Sequence, residues 1–101
     1  MKNWILKDKT PVEVEVDSED YKEFYSKEKP NLIKHHSIVL NSEEINVVTI
    51  LFPIDLNPYG FNPKMIATMV MGGEHDTYSR SYSSYEEAEQ GHKETMEMIL
   101  K

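Results

Sequence analysis

Four histidines, a single arginine and a cluster of serines are the side chains whose types allow chemistry in this chain. His75-Asp76 follows a Gly72-Gly73 turn and, with His92, offers candidate metal ligands. A metal needs three or four ligands converging from rigid elements. Here two would come from a loop and one from a helix face, with no His-x-x-x-His pair, so no metal site is expected. His92, between Ala88 and Met96 on one helical face, reads instead as a core histidine with a hydrogen-bonded ring nitrogen. His35-His36 precede a strand and point to opposite faces, so they cannot chelate together and at most one of them reaches a site; a polar strand start is the competing reading. Ser79, Ser81, Ser83 and Ser84 lie in no Gly-x-Ser-x-Gly elbow. Gly72-Gly73 is not followed by the lysine of a phosphate loop. With no cysteine, thiol nucleophiles, disulfides and zinc ribbons are excluded. No catalytic residue emerges, and the expectation is a protein that is not an enzyme and uses no cofactor.

Binding chemistry finds more support. Tyr59-Gly60-Phe61 sits inside a proline-rich stretch over 53–63. Aromatic side chains on a loop stiffened by proline lose little entropy on docking, which suits them as anchors for a protein partner. Packing back onto the core, or a homodimer contact, is the competing use of these rings. Negative charge gathers beside the first helix, where Glu19, Asp20 and Glu23 form a candidate partner-binding face together with Tyr59 and Phe61. An alternative ligand site combines Arg80 with Tyr78, Ser83 and Ser84. A guanidinium fork and the free N–H groups of a helix start both attract phosphate. The competing use of Arg80 is a surface pair with a neighbouring glutamate.

The elements that must position these groups follow from periodicity. Trp4-Ile5-Leu6 is a short strand, and Val12-Glu13-Val14-Glu15-Val16 alternates as a strand with one face in water. Asp17 is placed to cap a helix, with Val16 and Tyr21 as a staple and Tyr21, Phe24 and Tyr25 on one side. Pro30 stops it. Strands over 36–40 and 45–52 form a hairpin across a four-residue loop, the second apolar on both faces beyond Asn46 and so expected to be central and doubly covered. Strands over 64–71 and 78–82 follow. Ser83 with Glu86, and Ser84 with Glu87, both fit a capping box for a final helix. Gly91 in its middle is expected to let that helix press against the sheet. The reading is α+β: an antiparallel sheet of about four or five strands with two helices, the C-terminal helix packed on the sheet.

The chain has 101 residues, room for one domain spanning 1–101. Eleven basic residues against eighteen acidic ones leave a net charge of -7, which argues against direct nucleic-acid binding. Seven acidic residues and two lysines lie between Glu13 and Glu28. No apolar run approaches the roughly 20 residues of a membrane span. The amino-terminal residues turn charged too early for a signal peptide, so a cytoplasmic location is expected.

From Ile45 onward the chain resembles a family of small uncharacterised phage and prophage proteins. The resemblance is carried by Val48-Thr49-Ile50-Leu51, Asp55, Thr68-Met69-Val70-Met71-Gly72-Gly73, Tyr82-Ser83, Glu86-Glu87-Ala88 and Gly91-His92. It covers about half the chain. Ala67 replaces a glutamate frequent in that family, and the 53–63 stretch replaces its glycine-rich loop. The resemblance implies a viral accessory protein and brings no known chemistry. Joined to the acidic face, it leads to the expectation of a host protein with a basic surface as partner, and of anti-defence action such as an anti-CRISPR-like one. A phosphate or nucleotide sponge and a virion assembly component are the alternatives.

Overall fold

A computed structural model describes all residues from Met1 to Lys101. The chain runs β1 (Lys2–Lys7), β2 (Thr10–Glu15), α1 (Glu19–Tyr25), β3 (Leu32–Leu40), β4 (Glu43–Leu51), β5 (Ile66–Met71), β6 (Ser79–Tyr82) and α2 (Tyr85–Leu100). The architecture is α+β. Strands β3-β4-β5-β6 form an antiparallel meander, and β1-β2 form a separate hairpin. No helix is long and apolar enough to cross a membrane.

Both hairpins close through two-residue turns. Asp8 and Lys9 join β1 to β2, and Asn41 and Ser42 join β3 to β4, all with φ between 48° and 66°. Two consecutive left-handed residues make the type I′ turn, whose twist matches that of the strands it joins. The β3-β4 loop is thus half the length expected from sequence. Glu43 and Glu44 extend β4, where Glu43 pairs with Leu40. The first helix also differs at its start. Ser18, not Asp17, is the cap, its hydroxyl accepting from the Tyr21 N–H at 3.2 Å. The serine hydroxyl is tied in turn to the Glu15 carbonyl, which fixes it over the helix end.

Strand β4 alternates rather than burying both faces. Ile45, Val47, Thr49 and Leu51 are buried beneath α2, while Val48 and Ile50 on the other face are only partly covered. The expectation of a doubly covered central strand fails because one helix supplies the only covering layer. On β5 the buried partners are Ile66, Thr68 and Val70. The paired registers Val47↔Val70, Thr49↔Thr68 and Leu51↔Ile66 stack three layers under the helix.

Those layers split the core. Leu51, Met65, Ile66, Tyr82 and Ala88 form one apolar cluster, against which Trp4, Leu6 and Phe24 of the N-terminal unit pack. Ile45, Val47, Val70 and Ile99 form the other. Between them lies a band of buried polar side chains. The N-terminal hairpin and α1 extend from the end of the sheet rather than stacking on it. Consistently, the radius of gyration is 14.7 Å, against about 12.7 Å for a compact chain of this length. Tyr25 ties α1 to the hairpin by donating its hydroxyl to the Trp4 carbonyl at 2.8 Å, and burial pushes that phenol above its ordinary range. Tyr25→Phe is expected to lower stability by about 1 kcal/mol, read as a shift in the urea midpoint.

Candidate functional site

Two features stand out for chemistry or binding, one inside the fold and one at its surface. The internal one is a five-membered hydrogen-bond chain. Tyr82 donates to Thr68 Oγ1 at 3.1 Å, Thr68 and Thr49 share a bond of 2.6 Å, and Thr49 Oγ1 lies 2.6 Å from His92 Nδ1. His92 Nε2 then meets His36 Nδ1 at 2.8 Å. Thr49 and Thr68 meet because they are cross-strand partners on the helix-facing side of β4 and β5. His92 reaches them because Gly91 lets α2 approach the Tyr82 ring.

Burial away from water, reinforced by the charges of His36, Lys34 and His35, holds His92 down at about 4. It is therefore neutral at pH 7, with one N–H and one lone pair. Each hydroxyl has one hydrogen to give. With Tyr82 donating to Thr68, the polarity that gives every hydroxyl an acceptor within the chain runs Tyr82, Thr68, Thr49 to His92 Nδ1. It places the N–H of His92 on Nε2, aimed at His36. His36 Nδ1 is then the acceptor of that bond. Every buried polar side-chain atom of the protein has a partner. An open groove of about 550 Å³ lies beside the chain, lined by Lys34, His36, Glu86, Glu89, Lys93 and Met96 among others.

The two residues of the His35-His36 pair separate as strand geometry requires. His36 faces α2, while His35 bonds Asn46 on the opposite face. Sequence reasoning treated this pair as a polar strand start and missed that His36 meets His92. His75 lies elsewhere, lining a groove by the end of α2, and Asp76 accepts from the Gly72 N–H.

The surface feature is the loop over 53–63. Its neck is clamped: Asp55 Oδ1 accepts from the N–H groups of Asn57 and Lys64 at 2.8 and 2.9 Å, and Leu56 N–H bonds the Lys64 carbonyl. Higher up, Asn57 Nδ2 donates to the Asn62 carbonyl, and Gly60 N–H closes a turn on Asn57. A side chain at Gly60 would collide with Asn57. At the tip Tyr59 and Phe61 are 101% and 106% exposed. The Trp4 N–H bonds the Pro53 carbonyl at 2.8 Å, so the loop base and the N-terminal hairpin share one end of the molecule. On that N-terminal unit Glu13, Glu15, Asp17, Glu19, Asp20 and Glu23 are exposed. Asp20 is partly neutralised by Lys7 at 2.6 Å, and Glu15 by the amino terminus at 3.3 Å.

The residues of the alternative ligand site are engaged with the protein itself. Arg80 donates to Glu94 at 2.8 Å, a bond that raises the guanidinium and lowers the Glu94 carboxyl from their ordinary values. Ser83 donates to the Pro63 carbonyl, and Ser84 caps α2 by accepting from Glu87 N–H. Of the two candidate cap serines only Ser84 caps the helix, and its hydroxyl donates to the Glu87 carboxylate at 3.0 Å. Tyr78 packs against the Ile45, Val70 and Ile99 cluster. Both members of the Arg80–Glu94 pair are half exposed, so Arg80→Ala is expected to change stability by less than about 1 kcal/mol. No known protein family, curated protein or solved structure matches the chain.

Proposed function

We propose that this protein acts by binding another protein, with Tyr59 and Phe61 as anchors and the acidic N-terminal unit as the flanking surface. The carrying observation is the full exposure of both rings on a clamped loop. Aromatic side chains bury about 150–250 Å² each when covered, and they dominate interface energetics. Leaving two of them in water stabilises nothing in the free protein. The hydrogen-bonded neck and the prolines reduce the entropy lost when the tip docks.

The exposed carboxylates around α1 favour a basic partner surface, speeding encounter and selecting against acidic competitors. Both ring nitrogens of His92 are bonded within the protein, to Thr49 and to His36, which supports binding over turnover. The likeness to phage and prophage proteins supports a host protein as the partner. Occlusion of a host-defence protein, in the manner of an anti-CRISPR, is the action that fits.

Tagged protein incubated with bacterial host lysate, with captured proteins identified by mass spectrometry, tests this reading. The double substitution Tyr59→Ser, Phe61→Ser is expected to abolish capture of the partner while leaving the unfolding free energy within about 0.5 kcal/mol of wild type. Reversal of Glu19 and Glu23 to lysine is expected to weaken capture, as is added salt. Equal capture by the wild type and the double variant would overturn the assignment.

A further inference from the structure

Strand β3 is the outer strand of the sheet and pairs only with β4. The direction of its free backbone groups follows from the hairpin. A two-residue type I′ turn closes on a hydrogen-bonded pair, here Leu40 with Glu43. Antiparallel pairs alternate between bonded and non-bonded. Leu40, Ile38, His36 and Lys34 therefore turn their N–H and C=O groups toward β4, and Val39, Ser37 and His35 turn theirs outward.

The free edges of β2 and β6 are protected. On β2 the sequence places Pro11, Glu13 and Glu15, and β6 is only four residues long. Short strands, proline and charge are the usual devices against edge-to-edge pairing. By contrast β3 spans nine residues without a proline or a carboxylate. Its lysine, Lys34, and its register shift both lie at the start of the strand, and the register runs unbroken from Lys34 to Leu40. Val39 stands 68% exposed on it.

We propose that a second copy of this chain pairs antiparallel along β3, joining the two sheets into one of eight strands. Outward groups must meet outward groups, and the two-fold axis that also pairs the whole unbroken stretch from Lys34 to Leu40 falls at Ser37. That register sets His35 opposite Val39, His36 opposite Ile38 and Lys34 opposite Leu40 of the other copy. Like charges are kept apart and Val39 is covered. Electrostatics single out the same edge. The chain carries a net charge of -7, which repels a second copy over most of its surface. Yet β3 bears only Lys34, His35 and His36 as titratable groups, and in the groove beside it Lys34 and Lys93 balance Glu86 and Glu89.

Sedimentation equilibrium over a concentration series tests the assembly without reference to any partner. The expected species is twice the 11.8 kDa chain mass. Ser37→Pro removes an outward N–H, no backbone bond to β4 and only an exposed 3.4 Å side-chain bond to Glu44, so it is expected to give a monomer whose circular dichroism matches that of the wild type. Because the natural chain has no cysteine, Ser37→Cys is expected to form a disulfide-linked dimer on mild oxidation, and Ser79→Cys on β6 is not. A wild-type monomer at every concentration, or a Ser37→Pro dimer as tight as wild type, would overturn the proposal.

Discussion

Gly91→Ala is expected to lower the stability of this protein by roughly 2–3 kcal/mol, the range of a forced overpacking. For a domain of this size that corresponds to a fall in melting temperature on the order of 10 °C. Local propensity argues the other way, since alanine within a helix is favoured over glycine by about 1 kcal/mol. Packing decides the sign. A Cβ at this position would lie 2.0 Å from the Tyr82 hydroxyl oxygen and 2.3 Å from two of its ring carbons. The ring cannot retreat cheaply: Tyr82 is buried, and its hydroxyl is bonded to Thr68. Either α2 lifts from the sheet or the hydrogen-bond chain breaks at its first link. A stabilised alanine variant in urea titration would show that α2 does not rest on Tyr82.

Acidification supplies the second large effect. His92 binds its proton at about 4 in the folded protein and at 6.5 when unfolded. Between those values the unfolded chain holds more protons, so stability rises with pH across the window. The contribution is complete above the unfolded value and is lost as the pH falls from 6.5 toward 4, amounting to roughly 3 kcal/mol. Thr49 loses its acceptor in the same interval, because a charged His92 has no lone pair left at Nδ1. Urea midpoints measured from pH 7 to pH 4 read this slope. His92→Gln is expected to flatten the profile in that window while lowering stability at neutral pH, where Thr49 and His36 lose their shared partner. An unchanged slope in the variant would place the titrating group elsewhere.

Much of the fold was legible because its signals are local. Alternation in Val12-Glu13-Val14-Glu15-Val16, the capping serine before α2 and the apolar face through Ala88, His92 and Ile99 each need only a few neighbouring residues. What failed was of two kinds. Competing local signals hid the true cap at Ser18 behind Asp17, and hid the two-residue turn because Asn41 and Ser42 carry no glycine. The rest depended on distant pairing. Nothing within ten residues of His36 indicates that it will meet a histidine 56 positions away. The stacking of Thr49 on Thr68 depends likewise on strand register. Sequence placed His92 in the core with a bonded ring nitrogen, and the structure supplies its partners. For the surface anchors the sequence left exposure and self-packing open for Tyr59 and Phe61, and the clamped neck of the loop resolves the question toward exposure.

If function resides in an exterior tip rather than in the polar interior, contact with a partner should be visible residue by residue. Amide spectra of isotope-labelled protein, titrated with the captured host protein, are the most direct reading. Perturbations centred on Asn57 to Asn62 and spreading to α1 and β2 are the predicted outcome. Perturbations confined to His36 and the Glu86-to-Met96 side of α2, with the tip unmoved, would contradict it.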